Sequence, residues 1–249
     1  FTRLAEGRYI QNQEPDYLSF GELKDLSQDP NPEGRLGKKL ERFWKTPLIN
    51  NEAYYQGAKP HRPTDPKLGP YLRLVSWNIE KSYQTKEAII AFTSANEFEK
   101  LIDPGKAPKD SDRYKQILLQ REKLANADIV ILQEMDIGVK RSGYINAAAK
   151  IAKALNMNYA YGTEQLEIDP VLLGLEKINY SDGSVDEEAT KYYAANPRKY
   201  KGMFGSAVLS RYPIKRAEVF QLKRQAYDWY DGEKSKTTFL ENARRTGSA

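Results

Sequence analysis

Residues 74–80 read LVSWNIE, an alternating and then apolar run that ends in a polar triplet beginning at Asn78. Residues 127–134 read ADIVILQE, a second apolar run, which ends in the carboxylate of Glu134. Residues 205–214 read GSAVLSRYPI, a third apolar run closed by Arg-Tyr-Pro. Short apolar runs bounded by polar or turn-forming residues predict buried β-strands.

Helical patterns separate these predicted strands. One surrounds residues 86–92, a second spans residues 114–124, and a third, clearly amphipathic, spans residues 144–155. A further strand is predicted around residues 159–161. Helices that alternate with short apolar strands indicate an α/β architecture.

Two regions depart from this rhythm. Turn formers punctuate residues 1–70, which we expect to be an N-terminal extension that lies against a main domain of residues 71–249 and joins it through a proline-rich linker, residues 59–70. Residues 163–201 are polar and predict a long loop or insertion, and loops of that length are often functional.

The extension contains signals for two short helices. Ser19 is a suitable N-cap with Glu22 three residues later, which is the pattern of a capping box. Leu36, Leu40 and Phe43 share helical spacing and predict the second helix.

Composition excludes several classes of function. The 249 residues contain no cysteine, so disulfides, thiolate nucleophiles and cysteine metal sites are excluded. No run approaches the roughly 18 apolar residues of a membrane span. The formal net charge of +5 indicates either an ordinary basic surface or attraction to a polyanion. The compartment stays open, with export or the periplasm favoured over the cytoplasm.

The polar residues at the predicted strand ends are the candidates for a catalytic site. Sheets of the α/β class gather ligands at the carboxyl ends of their strands, where a rigid strand fixes its last side chain. A carboxylate such as Glu134 and an amide such as Asn78 offer hard oxygen ligands of the kind that Mg²⁺ or Mn²⁺ takes. Such an ion neutralises phosphate oxygens and lowers the pKa of a bound water.

Taken together and in this order, the three segments resemble the opening motifs of the endonuclease/exonuclease/phosphatase family, over roughly residues 71–220. The resemblance implies a four-layer α/β/β/α sandwich of the DNase-like type and divalent-metal-dependent hydrolysis of a phosphate ester. Asn78 matches the family's catalytic asparagine beside the scissile phosphate. Glu134 matches the glutamate that binds the metal ion, Mg²⁺ or Mn²⁺.

The resemblance leaves neighbouring residues open. It does not settle the roles of Glu80, Gln133 and Asp136. For Ser206 and Arg211, in the third motif, a structural role is favoured over a catalytic one. Residues 71–80 also resemble a poorly characterised bacterial subgroup of the family.

Motifs from the second half of the family are missing after Ile214. The family continues with an Asp-x-Asn pair and an Asp-His pair, whereas here a helix-like polar stretch spans residues 234–245. The single histidine, His61, lies in the predicted linker, where a solvated surface residue is expected. We therefore expect about the first half of the sandwich, inactive by itself, within a longer active parent.

A function of another class stays open. A degenerate family member would be a non-catalytic module that binds nucleic acid or an anionic surface through basic residues and some of its 17 tyrosines. The expected partner is a phosphate-ester substrate, which includes nucleic acid, and the sequence does not give the oligomeric state. Substrate specificity is expected in loops such as residues 163–201.

Overall fold

A six-stranded sheet in the order β1-β2-β7-β8-β6-β5 forms the centre of the computed structural model, which describes residues 9–60 and 62–220. Short strands β3 and β4 form a separate two-stranded ribbon. The α/β class predicted from the sequence is confirmed. The strands are β1 (Asn12–Gln13), β2 (Leu48–Asn50), β3 (Thr64–Asp65), β4 (Gly69–Pro70), β5 (Leu74–Asn78), β6 (Ile129–Ile137), β7 (Asn158–Leu166) and β8 (Met203–Ser210).

Eight helices lie within the described residues and connect these strands. They are α1 (Phe20–Gln28), α2 (Gly34–Lys45), α3 (Glu52–Tyr55), α4 (Thr85–Thr93), α5 (Ala95–Glu99), α6 (Asp112–Ala125), α7 (Ala147–Leu155) and α8 (Glu187–Tyr193). The chain divides into one unit of residues 1–219 and a second of residues 220–249. The predicted helix-like stretch at 234–245 and the side chain of His61 lie outside the described residues.

Strand direction decides which side chains meet at each end of the sheet. Strands β5 and β6 are parallel, with Leu74 opposite Ile129 and Asn78 opposite Gln133. The crossover between them contains α4, α5 and α6. Strands β6, β8 and β7 follow in antiparallel order. The parallel pair therefore places the ends of the first two predicted motifs next to each other.

One face of the sheet packs on helices. Leu132, Ala207 and Tyr161 form a cross-strand row on that face and are almost fully buried. The core that contains them also contains residues of α1, α2, α4 and α7. On the opposite face Val208 is 40% exposed and Leu74 is 58% exposed. Among the described residues, β5 pairs only with β6 and leaves its other edge without a strand.

The segment before residue 71 contributes to this sheet. Strand β2 pairs with β7, and β1 pairs with β2, so both extend the sheet at its far edge. Ser19 and Glu22 form the complete capping box at the start of α1, as predicted. Leu23 and Phe43 are buried in the common core. The division predicted at residue 70 stays a prediction.

Three local expectations differ from the structure. The third predicted helix starts at Ala147 rather than at residue 144, because Tyr144 has a φ of 62° and Asn146 caps the helix. The expected loop at 163–201 begins with the end of β7 and contains α8. The proline-rich linker contains the β3–β4 ribbon, because the carboxylate of Asp65 accepts hydrogen bonds from backbone N–H groups within the turn.

Two β-bulges flank Gly205. The register of β6 against β8 shifts between Leu132 and Met135, and that of β7 against β8 shifts between Thr163 and Gln165. Gly205 pairs with Met135 and with Thr163, at the border of both shifts, and a Cβ there would meet the backbone oxygen of Gly162 on β7 at 2.0 Å. The strands approach so closely at this position that only glycine fits.

A buried ion pair holds the amino ends of β5 and β6. The carboxylate of Asp128, which is fully buried, accepts hydrogen bonds from the backbone N, the Nε and the Nη2 of Arg73 at 2.8–3.0 Å. Burial opposes the charge, but these bonds and Arg211, 3.8 Å away, outweigh it, so the pKa of Asp128 lies below its ordinary value. Arg211 also donates to the backbone oxygen of Ala127, which is a structural contact.

None of the helices in the described ranges is both long and apolar enough to cross a membrane.

We expect Gly205→Ala to lower the free energy of unfolding by about 3 kcal/mol, because the new methyl group overlaps backbone that cannot move away. Urea unfolding measures the change. Gly21→Ala is the matched control, since the nearest atom to its Cβ is 4.0 Å away. Equal losses in the two variants would contradict this account of the strand contact.

The Asp128 ion pair predicts a specific pH dependence. Because the pKa of Asp128 is lowered by folding, the stabilisation is complete at neutral pH and is lost as the pH falls below about 4 and through the folded pKa. Asp128→Asn should cost about 2 kcal/mol at pH 7, since Arg73 stays partly in solvent. It should also flatten the stability profile below pH 4. Asp112→Asn, at an exposed pair with Lys115, should leave that profile unchanged.

Candidate active site

The first two motifs converge at the carboxyl end of β5. The expectation that Glu134 ends its strand is wrong, because β6 continues through a bulge to Ile137. Asn78 is the last residue of β5 and lies opposite Gln133. The backbone N–H of Ile79 donates to the Gln133 oxygen at 3.3 Å, which carries the pairing one residue further. Glu134 therefore comes directly beside Asn78, although 56 residues separate them along the chain.

Hydrogen bonds fix both side chains. Asn78 donates from Nδ2 to Oε1 of Glu134 at 2.8 Å, and its Oδ1 accepts the backbone N–H of Glu80 at 2.9 Å. The other carboxylate oxygen of Glu134 accepts the backbone N–H of Lys81 at 3.2 Å. An amide oriented at both ends and a carboxylate held through both oxygens form a preorganised polar pair.

A β-bulge turns Glu134 toward Asn78. Gln133 and Glu134 together face the single residue Ser206, and Glu134 has a φ of 58°. Before the bulge Leu132 is buried, and after it Met135 is buried, so the inward side of the strand changes from even to odd positions. Without the extra residue, Glu134 would follow Leu132 toward the core.

A left-handed turn follows β5. Glu80, Lys81 and Ser82 have φ values of 50°, 53° and 57°, which non-glycine residues seldom adopt. Each costs about 1–2 kcal/mol in this conformation. Six non-glycine residues in the described ranges have a positive φ, and these three together with Glu134 are four of them. Backbone strain is therefore concentrated at the candidate site.

Ser82 joins this turn to the bulge. Its hydroxyl accepts the backbone N–H of Asp136 at 2.9 Å and approaches the Glu134 carbonyl oxygen at 3.4 Å as a donor. The Ser82 carbonyl in turn accepts the hydroxyl of Thr85 at 2.8 Å. Ser82 and Thr85 are both buried. Since β5 has ended, the Ser82 hydroxyl takes the place of a strand neighbour for this part of β6.

The other acidic neighbour, Asp136, has a structural environment. It is fully buried, and Arg141 donates to both of its carboxylate oxygens, at 2.6 and 3.0 Å. Burial raises the pKa of Asp136, and Arg141 acts in the opposite direction. Arg141 also pairs with Glu167. This carboxylate is fully engaged in tying the end of β6 to the following turn.

Residues of the third motif lie at both ends of the sheet. Ser206 lies opposite the Glu134 bulge and donates to the carboxylate of Glu164, which protrudes from the second bulge. Arg211 lies at the other end, beside Asp128. Gln133 donates to the Ser76 hydroxyl on the exposed face of β5, and Glu80 is exposed.

The donor set fits a divalent ion of the kind that keeps most of its water. Among the described residues no group of three or more His, Cys, Asp or Glu side chains could enclose a metal ion. Mg²⁺ binds through one or two carboxylates plus water and substrate phosphate. A carboxylate has about four lone-pair positions, and Glu134 uses two of them, so it can bind an ion while it keeps both contacts.

A cavity of about 380 Å³ opens beside Asn78; Glu87 also lines it, and Glu134 does not. Asn78 and Glu80 line it on the polar side, and Trp77, Ala88 and Phe98 line it on the apolar side.

Residues 75–244 match the Endonuclease/Exonuclease/phosphatase family. The chain belongs to this family. The match begins within β5, covers more than half of the chain and includes all three motifs apart from Leu74. No curated protein and no solved structure matches the chain significantly.

Family membership gives the general chemistry. Its members generally hydrolyse phosphate esters and generally depend on a divalent metal ion. The resemblance predicted from the three motifs is thereby confirmed. The first-half extent, the four layers, the bacterial subgroup and the roles of Asn78 and Glu134 stay predictions.

Sequence reasoning missed the residues that hold the pair in place. Lys81 acts through its backbone N–H, and Ser82 acts through a buried hydroxyl. Neither residue type signals a left-handed turn, which Gly or Asn would have done. The only available signal was position, directly after the polar triplet of the first motif.

We expect Lys81→Gly to raise the free energy of unfolding by up to about 1 kcal/mol, because glycine adopts a φ of 53° without strain and keeps the N–H donor. Lys150→Gly, the same change in the middle of α7, should lower it by about 1 kcal/mol. Urea unfolding measures both changes in the free energy of unfolding. A gain in Lys81→Gly with a loss in Lys150→Gly would support the strained turn, and a loss in both variants would contradict it.

Proposed function

We propose that the protein hydrolyses a phosphate ester with the help of Mg²⁺ or Mn²⁺ at the carboxyl end of β5, beside the bulge of β6. The observation that carries the proposal is the 2.8 Å hydrogen bond that unites Asn78 and Glu134 in a member of a phosphoesterase family. The two predicted site residues come from separate motifs and meet as one polar pair.

Each side chain has a role that its contacts support. Glu134 holds the divalent ion through those carboxylate lone pairs that do not accept hydrogen bonds from Asn78 and Lys81. The ion would neutralise phosphate oxygens and lower the pKa of a bound water. Asn78 orients the carboxylate and lies where its amide can also contact a phosphate oxygen. Nucleic acid is one substrate of this chemistry, and the basic net charge of +5 favours a polyanion.

General acid–base catalysis needs groups beyond this pair. Asn78 does not titrate, and Glu134 is committed to the ion. We propose that the proton-transferring groups come from outside residues 9–60 and 62–220, so the described residues supply the metal half of the site. These described residues alone would then bind the ion and show little turnover.

The experiment is a hydrolysis assay with bis(p-nitrophenyl) phosphate and p-nitrophenyl phosphate in Mg²⁺ or Mn²⁺, on the protein expressed from its whole gene. Glu134→Gln keeps the shape and an oxygen that accepts one of the two hydrogen bonds, but it removes the charge that binds the ion. We expect kcat/KM to fall by about 100-fold or more, which corresponds to about 3 kcal/mol of transition-state stabilisation.

Glu122→Gln, the same change at an exposed position on α6, is the control and should leave kcat/KM unchanged. Activity retained in Glu134→Gln would remove Glu134 as the metal ligand. Wild-type protein that hydrolyses neither substrate, but binds nucleic acid without a divalent ion and releases it steeply with salt, would instead support the non-catalytic binding module.

A further inference from the structure

The left-handed turn at residues 80–82 is held by contacts to β6 rather than by its own sequence. Three consecutive non-glycine residues adopt positive φ values there, and the only hydrogen bond within the turn runs from the Tyr83 N–H to the Glu80 oxygen at 3.2 Å. Such a turn persists only when its surroundings over-determine it. The contacts at Ser82 supply that constraint.

Ser82 reaches both sides of the bulge. Its hydroxyl accepts the buried N–H of Asp136 and approaches the Glu134 carbonyl as a donor. Thr85, at the first residue of α4, holds the Ser82 carbonyl. The turn is thereby fixed between the start of a helix and the bulged strand, and Ser82 is only 2% exposed.

The position of Lys81 depends on this attachment. Its backbone N–H is aimed at the Oε2 atom of Glu134, and Ser82 is the next residue in the chain. If the hydroxyl bonds to β6 are lost, the strained turn can relax, and the N–H then moves away from the carboxylate. The second oxygen of Glu134 would lose its only hydrogen-bond donor among the described residues.

We propose that Ser82 is a positioning residue, which fixes the Lys81 N–H on Glu134 and thereby sets the orientation of the carboxylate toward a divalent ion. We call the Ser82 contacts that hold the Lys81 N–H on Glu134 the clamp. The expected effect on metal affinity rests on the proposed function, whereas the clamp itself does not. Outer partners of a metal ligand typically change metal affinity or activity by 10–100-fold when they are removed.

Amide hydrogen exchange measured by NMR on the metal-free 249-residue chain tests the clamp. In Ser82→Ala we expect the Lys81 and Asp136 amides to exchange at least about tenfold faster than in wild type. Thr85→Val, which keeps the shape of the side chain but removes the hydroxyl, should accelerate the same two amides to a smaller extent. Ser210→Ala is the matched control, because its buried hydroxyl accepts the Tyr212 N–H at the other end of the sheet.

Unchanged exchange at Lys81 in Ser82→Ala, or an equal acceleration in Ser210→Ala, would overturn the clamp. In the hydrolysis assay we expect Ser82→Ala to raise the Mn²⁺ concentration for half-maximal activity by about tenfold, with Ser210→Ala unchanged. An unchanged Mn²⁺ requirement would overturn the metal-orienting role. If wild type shows the exchange signature but hydrolyses nothing, the clamp stands and the proposed function fails.

Discussion

The parallel pairing of β5 with β6 is the constraint on which the site depends. In register, this pairing brings Asn78 opposite Gln133, and every contact of the candidate site follows from that placement. The buried Asp128–Arg73 pair holds the amino ends of the same two strands. The polar pair beside the end of β5 is therefore supported by an ion pair at the other end of the same strand pairing.

Two irregular stretches of backbone position Glu134 and the Lys81 N–H. A straight β6 would send Glu134 after Leu132 toward the core, and a regular turn after β5 would take the Lys81 N–H elsewhere. The bulge and the left-handed turn correct both, and the buried Ser82 hydroxyl joins them through its bonds to β6. The packed strands on either side hold this strained backbone in place, and the strained backbone positions Asn78 and Glu134.

The sequence predicted those features that depend on side-chain periodicity. The apolar alternation around Val130 and Leu132 identified β6, and the Ser19–Glu22 pattern identified the start of α1. It placed Asn78 correctly at the end of β5, whereas Glu134 lies within β6 and not at its end. The family match agrees with the motifs from which the resemblance was drawn.

Features that depend on tertiary contact could not be predicted. Nothing in a Glu-Lys-Ser sequence favours a positive φ, and the bulge at Glu134 is visible only in the register of β6 against β8. Strands β1 and β2 have two and three residues, too few for a periodic signal, and they pair only because β7 offers an edge. These features depend on contacts between secondary-structure elements rather than on the sequence within one element.

The strands from the first 70 residues also bear on how the protein can be divided for study. The family match starts at residue 75, which would suggest that a shortened protein could begin there. Such a version would strip β2 from β7, leave a row of backbone N–H and C=O groups bare, and remove Leu23, Leu48 and Ile49 from the core. An open strand edge beside newly exposed apolar surface favours aggregation, so the family's boundary is not the boundary of the folded unit.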